Sequence, residues 1–329
     1  MRTFHSYYWI VLAAVIVAVA MIAVANGPVS VPLAGVIDAL RGVGDPTAIA
    51  IVRDLRLPRV ILGALVGAGL GASGAMLQGT MRNPLAEPYL LGVSGGAAVG
   101  AVIAFALGAL SEAAITLAAF AGSVIAVFVT LAVGRTGGRA TRGDLRTLLI
   151  AGVIVGAFAN AVIMVALASA EPNRIRGALW WMMGSATDAT WSRVAWLAGS
   201  VGVIGAAVIY WAREIDVLAL GEDTAISLGV DAERAGRRAF ILAAVLAAST
   251  VAAAGLVGFV GLVVPHLARA MGLRAHRPLI LAAGLIGGTL VVAADLAART
   301  LASPLELPLG AITALLGVPF FLVQLRKTS

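Results

Sequence analysis

Apolar runs of about 20 residues, each long enough to cross ~30 Å of hydrocarbon as a helix, recur along the whole chain and are separated by short polar segments. They predict helical spans near residues 7–26, 58–80, 90–109, 113–134, 147–169, 191–212, 236–254, 256–272, 278–297 and 307–325, about ten within an uncertainty of one. The pair 236–272 is nearly continuous, and Gly255 and Gly258 supply its only break. Gly63, Gly67, Gly69, Gly71 and Gly74 crowd the second run. Small residues let helix backbones approach where lipid provides no hydrophobic drive between helices, so this span is expected to run through the middle of the bundle. The longest polar interval, Ala212 to Arg238, interleaves Leu218, Leu220, Ile226, Leu228 and Val230 with charges and is broken at Gly221 and Gly229. This pattern predicts two short amphipathic helices at the inner membrane face, gripped by lipid or by a partner protein.

Composition agrees with an all-α integral membrane protein: of 329 residues 61% are hydrophobic and 12% charged, with mean hydropathy +1.02. A soluble domain carries about a quarter charged residues. The net charge of +7 is spread through short loops rather than gathered on one face, which argues for membrane topology and against nucleic acid. With both termini inside, 15 of the 23 basic residues fall on inner segments and eight on outer ones, as the positive-inside rule expects. Arg53, Arg56 and Arg59 defy that bias by crowding one outer segment. The first run, Tyr7 to Ala25, lacks a small-residue cleavage site behind it and reads as an uncleaved span. Cysteine is absent, which removes disulfides and thiolate metal sites.

The absent motifs narrow the chemistry. A nucleotide-binding P-loop needs a lysine after a glycine-rich turn, and the one lysine, Lys327, has no such glycines before it. ATP-driven work would therefore come from another chain. His5, His266 and His276 are scattered, no H-E-x-x-H occurs, and no enzymatic constellation is visible. Asp295 is nearly the sole carboxylate within a span, with Arg299 one turn later on the same face. A structural ion pair is the favoured reading over proton coupling.

Ordered motifs then carry a resemblance. Arg56-Leu57-Pro58-Arg59, the run Gln78 to Pro88, Leu91 to Gly96, Leu220-Gly221-Glu222 with Leu228-Gly229-Val230, Gly258 to His266, and Glu306 to Gly310 resemble the permease family that imports vitamin B12, ferric siderophores and heme. The likeness covers about residues 50–326 and belongs to the FecCD-like, type II ABC importers. It implies a B12-permease-like fold of about ten transmembrane helices: a single permease domain over 1–329 with a cytoplasmic coupling segment at 213–235. The implied partners are a second copy of the chain, two cytoplasmic ATPase subunits that bind ATP and Mg, and a periplasmic substrate-binding protein. The implied location is the bacterial inner membrane, with no cofactor or metal on this chain.

By the same resemblance, Arg56, Arg59 and Arg299 are the expected docking residues for the binding protein. Leu220, Gly221, Glu222, Asp223, Leu228 and Gly229 fall on the family's ATPase-coupling segment, and Pro265 and His266 on its support. Asn160, Met164, Arg174, Arg176, Trp180, Trp181, Met182 and Met183 are candidates for the outer translocation path, although tryptophan and methionine there also suit an interfacial belt. Thr141, Arg142, Arg146 and Thr147 occupy the inner gate region, where charged residues replace the small polar ones usual in the family. Arg174 and Arg176 beside tryptophan and methionine favour heme or a ferric siderophore as cargo, with vitamin B12 as the alternative. An ion-coupled secondary transporter and a membrane scaffold are the rivals from other classes.

Overall fold

The computed structural model describes residues 6–109, 111–135 and 145–328, so Thr141 and Arg142 lie outside the described residues. Among the described residues the chain is helical and carries no strand. The helices are α1 (Ser6–Ala25), α2 (Leu33–Arg41), α3 (Pro46–Ala50), α4 (Leu57–Thr80), α5 (Val93–Ala106), α6 (Glu112–Arg135) and α7 (Leu145–Ala168). They continue with α8 (Pro172–Met182), α9 (Trp191–Leu218), α10 (Glu222–Ser227), α11 (Ala232–Ala254), α12 (Val260–Ala270), α13 (His276–Thr300) and α14 (Leu309–Thr328). A π-helical turn, Ile51–Arg56, leads into α4, and a 3-10 turn, Pro88–Leu91, leads into α5. Among the described residues seven helical segments are long and apolar enough to cross a membrane, and the shorter apolar segments Val93–Ala106, Val260–Ala270 and Leu309–Leu322 bring the apolar set to ten.

α4 does run through the middle, packed on α9, α11, α12 and α13. Its glycines are the reason: a Cβ at Gly67 would overlap the Gly287 carbonyl of α13, and one at Gly74 would overlap the Gly261 carbonyl of α12. Backbones in such contact exchange dispersion attraction along their whole length, which is what binds helices in a solvent as apolar as they are. α5, α6 and α7 form a second group, joined to the first mainly through α11 against α6.

The helix ends define two faces of the bundle. The start of α4, the end of α13, α8 and the 301–308 segment share one end. The close of α4, the close of α9, α10 and the start of α13 share the other, where Gly79 abuts His276 and Ile215.

The interval 212–238 departs from expectation. One short helix forms, α10, instead of two, because α9 continues to Leu218 and α11 starts at Ala232. The ion pair Arg238–Glu214, at 2.9 Å, and the Arg238 guanidinium 3.6 Å over the Trp211 ring let both long helices extend past their apolar runs. The α11–α12 break falls where the sequence puts it, but the residues that turn the chain are Gly255 (φ +70°) and Phe259 (φ +65°), not Gly258.

Candidate functional site

At the α8 end, Arg59 lies between two carboxylates. Its Nε and Nη2 donate to Asp295 at 3.0 Å, and Nη1 and Nη2 donate to Glu306 at 2.9 and 3.1 Å. Glu306 also accepts from the Thr187 hydroxyl at 2.6 Å. Arg299 reaches Asp295 at 3.6 Å and donates to the Ala23 carbonyl. Arg56 donates to the carbonyls of Val24, Ala25 and Val29. The three arginines are 6%, 8% and 3% exposed in residue order. All three are turned toward groups of their own chain. The burial has a physical basis: carboxylates and carbonyls take up most of the guanidinium donors, which offsets the cost of removing them from water.

Asp295 thus belongs to a structural ion-pair network, with Arg59 rather than Arg299 as its closest partner. Burial pushes the Glu306 carboxyl up, yet donation from Arg59 and Thr187 and the charges of Arg59 and Arg299 outweigh it and hold the group below the usual glutamate range.

A second polar cluster lies inside the bundle. α12 has 11 residues and rises only about 16 Å, and α5 is almost as short, so the segments before them dip toward the bundle's interior. Irregular backbone at that depth needs internal partners. Tyr89 supplies two, donating its hydroxyl to the Val257 carbonyl at 2.9 Å and accepting from the Val257 amide at 2.7 Å. Glu87 accepts from the Phe259 amide at 3.0 Å. Pro265 has no N–H for the Gly261 carbonyl one turn earlier. Gln78 of α4 fills that role, donating to the Gly261 and Leu262 carbonyls at 3.2 and 3.1 Å while accepting from Arg269 at 2.6 Å. His266 is half-buried, with Nδ1 2.9 Å from the Leu262 carbonyl and its ring edge-on to Phe321.

At the opposite end, α10 is closed by a Schellman turn. The Val230 amide donates to the Ala225 carbonyl at 2.9 Å and the Gly229 amide to Ile226 at 3.0 Å, with Gly229 at φ +79°. Ala225 is buried against Leu218 and Ala235, which seats the helix. Leu220, Ile226 and Leu228 face outward, 65%, 64% and 59% exposed, beside exposed Asp223. Pro265 lies inside α12.

The proposed path residues do not share one surface. Asn160 and Met164 lie one turn apart on the exposed face of α7, while Ala151, Val155, Ala159 and Ile163 face inward at a four-residue spacing. Trp180 and Met183 are exposed, and Met182 packs inside against Ile163 and Ala178. Arg174 is committed to Glu171 at 3.3 Å and to the Ala106 carbonyl, whereas Arg176 is exposed. Thr147 lies on the first turns of α7, half-buried.

Sequence reasoning missed Glu306, Thr187, Gln78, Glu87 and Tyr89 as site-building groups. Gln78, Glu87 and Glu306 stand inside the motifs that carry the resemblance, which was the available signal; their partners are 119 to 247 positions away along the chain.

The FecCD transport family model matches residues 13–327. The chain is 45% identical over 281 residues to the cobalamin import permease BtuC of Halobacterium salinarum, covering 85% of this chain and 74% of that one. It is 38% identical over 276 residues to the hemin transport permease HmuU of Yersinia pestis, covering 82% and 81%. Over 321 residues it is 33% identical to the Fe(3+)-citrate import permease YfmE of Bacillus subtilis, covering 96% and 94%. A solved structure described as an inward-facing metal-chelate type ABC transporter superposes with TM-score 0.87 at 27% identity, over 98% of this chain and 100% of that one.

Proposed function

Because the chain belongs to the FecCD transport family, we propose that it is the conduit of an ATP-driven importer assembled from two copies of this chain, two ATPase subunits and one substrate-binding protein. The coarse activity follows from the family: an ABC importer permease for vitamin B12, heme or iron chelates, and not an enzyme in itself.

The observation that carries the assembly is α10. A chain with no P-loop lysine presents three large apolar side chains, Ile226 on a short helix seated by Ala225 and Leu220 and Leu228 flanking it, at the arginine-rich end. Exposed apolar residues on a fixed polar end suit a groove in a partner. By the family resemblance, Thr141, Arg142, Arg146 and Thr147 remain the candidates for the inner gate. The exposed α7 face through Asn160 and Met164 supports pairing with a second copy along the cargo path. At the far end, Arg56, Arg59 and Arg299 underlie the docking surface for the binding protein, Arg59 by fixing Glu306 and Arg56 and Arg299 by holding the 23–29 backbone, with Arg53 exposed at the same end.

The cargo reading shifts toward a corrinoid. The heme preference rested on Arg174 and Arg176 acting together, and Arg174 is internally paired; the 45% identity to a cobalamin permease supports vitamin B12 instead. Heme or a ferric siderophore is the second reading, favoured by the hemin and ferric-citrate relatives. An ion-coupled mechanism finds no support in Asp295, whose oxygens are taken by Arg59 and approached by Arg299.

The test is uptake into proteoliposomes containing the chain, its ATPase and its binding protein. Cyanocobalamin, hemin and a ferric siderophore are compared with and without ATP. Nucleotide-dependent uptake of cyanocobalamin is expected; uptake that persists without nucleotide and collapses with the proton gradient would retire the reading.

A further inference from the structure

A cavity of about 270 Å³ opens at the α8 end, between α5, α6, α8, α9 and the end of α11. It is distinct from the exposed α7 face, none of whose residues line it. Its size is below the ~300–1,000 Å³ of ordinary ligand pockets, which excludes a corrin, a heme or a siderophore and leaves room for a small headgroup.

The lining fixes the sign of the occupant's charge. Phe105, Trp180 and Trp181 contribute aromatic surface. Arg193 is the one basic lining residue, and Glu112 neutralises it at 2.7 Å. Asp188 is then left over as a carboxylate with no ion pair or hydrogen bond among the described residues. The floor is Ala252–Ala254, the last turn of α11, at the negative end of the helix macrodipole, with the Ala254 carbonyl taken by the Ser185 amide at 2.9 Å. One net negative charge beside aromatic walls favours a cation that is only partly hydrated. An anion meets only Arg193, whose charge Glu112 already takes up.

We propose that this cavity binds an alkylammonium group, presented either by the ethanolamine head of a phospholipid or by a free amine. The tryptophans at its rim stand where a membrane protein places them to meet headgroups. The site joins α6, α8, α9 and α11, so an occupant would tie the α5–α7 group to the rest of the bundle at this end.

The experiment uses the full chain in nanodiscs. Native mass spectrometry compares lipid retained from mixed phosphatidylethanolamine/phosphatidylglycerol discs, and tryptophan fluorescence follows ethanolamine titration in discs of phosphatidylglycerol alone. Retained phosphatidylethanolamine that millimolar ethanolamine does not displace identifies the lipid as the source. A saturable fluorescence shift with no lipid preference identifies a free amine. In either arm Asp188→Asn, which alters an exposed and unpartnered side chain, is expected to weaken binding by about tenfold, and Trp180→Leu by a smaller factor. Equal retention of both lipids together with no saturable shift, or binding unchanged by both substitutions, overturns the proposal.

Discussion

Arg59 shows how much a single side chain carries. Removing it by Arg59→Ala would leave Asp295 and Glu306 facing each other without their shared cation. A buried pair broken on one side loses about 3–5 kcal/mol, so a large fall in thermal midpoint in detergent is expected, with little folded protein recovered. An Arg59 variant that folds normally and loses only binding-protein affinity would restore a direct docking role. The network also fixes a pH dependence. The Glu306 carboxyl titrates below its usual value near 4.5 in the fold, so its pairing stabilises above that value and is lost as pH falls through the lower folded one. Thermal midpoints measured from pH 6 to pH 3 should fall in the acid range, and Glu306→Gln should flatten that part of the profile. Gln78 is a parallel case: Gln78→Leu takes the side-chain donor from the Gly261 carbonyl and the acceptor from Arg269. A loss of about 1–3 kcal/mol is expected, read as a lower midpoint.

At the scale of elements, α10 and α12 are too short to be stable alone, and both are held from outside. α10 depends on Ala225 beneath it and on the left-handed Gly229 behind it. Replacing Ile226 or Leu228 by Glu changes exposed positions, so thermal stability should hold within about 0.5 kcal/mol. Copurification of the ATPase should fall sharply, and unchanged copurification would remove α10 from the coupling role. α12 depends on Gln78, Tyr89 and Glu87, each from a distant part of the chain. That dependence explains the two departures from expectation. The second short helix after α10 is not formed because α11 already extends through it, drawn out by Arg238 with Glu214 and Trp211. Phe259 adopts the left-handed turn because Glu87 holds its amide, and local composition carries no trace of that.

For the whole molecule, the exposed α7 face is the largest open question of packing. Met164 is 73% exposed on a helix that also presents Val153, Ile154, Phe158 and Val165. If two copies pair there, Met164→Cys in this cysteine-free chain should form a disulfide-linked dimer under mild oxidation in membranes. A cysteine on the exposed lipid-side face of α6, at Phe128, should not. Equal crosslinking at both positions would place the contact elsewhere.

The hydrophobic pattern by itself determined that the chain is a membrane bundle, how many apolar segments it has, roughly where each lies, and that α4 is central. These properties follow from local composition, because the cost of exposing polar backbone to hydrocarbon acts on every stretch of about 20 residues independently. The absence of a P-loop was equally local. Tertiary structure alone decided which charges are spoken for. Arg56, Arg59 and Arg299 look like surface cations in sequence, and they become internal once carbonyls at 23–29, Asp295 and Glu306 are brought to them. A charge's role depends on what stands within about 3–4 Å of it, and in a folded bundle those neighbours come from helices hundreds of positions apart.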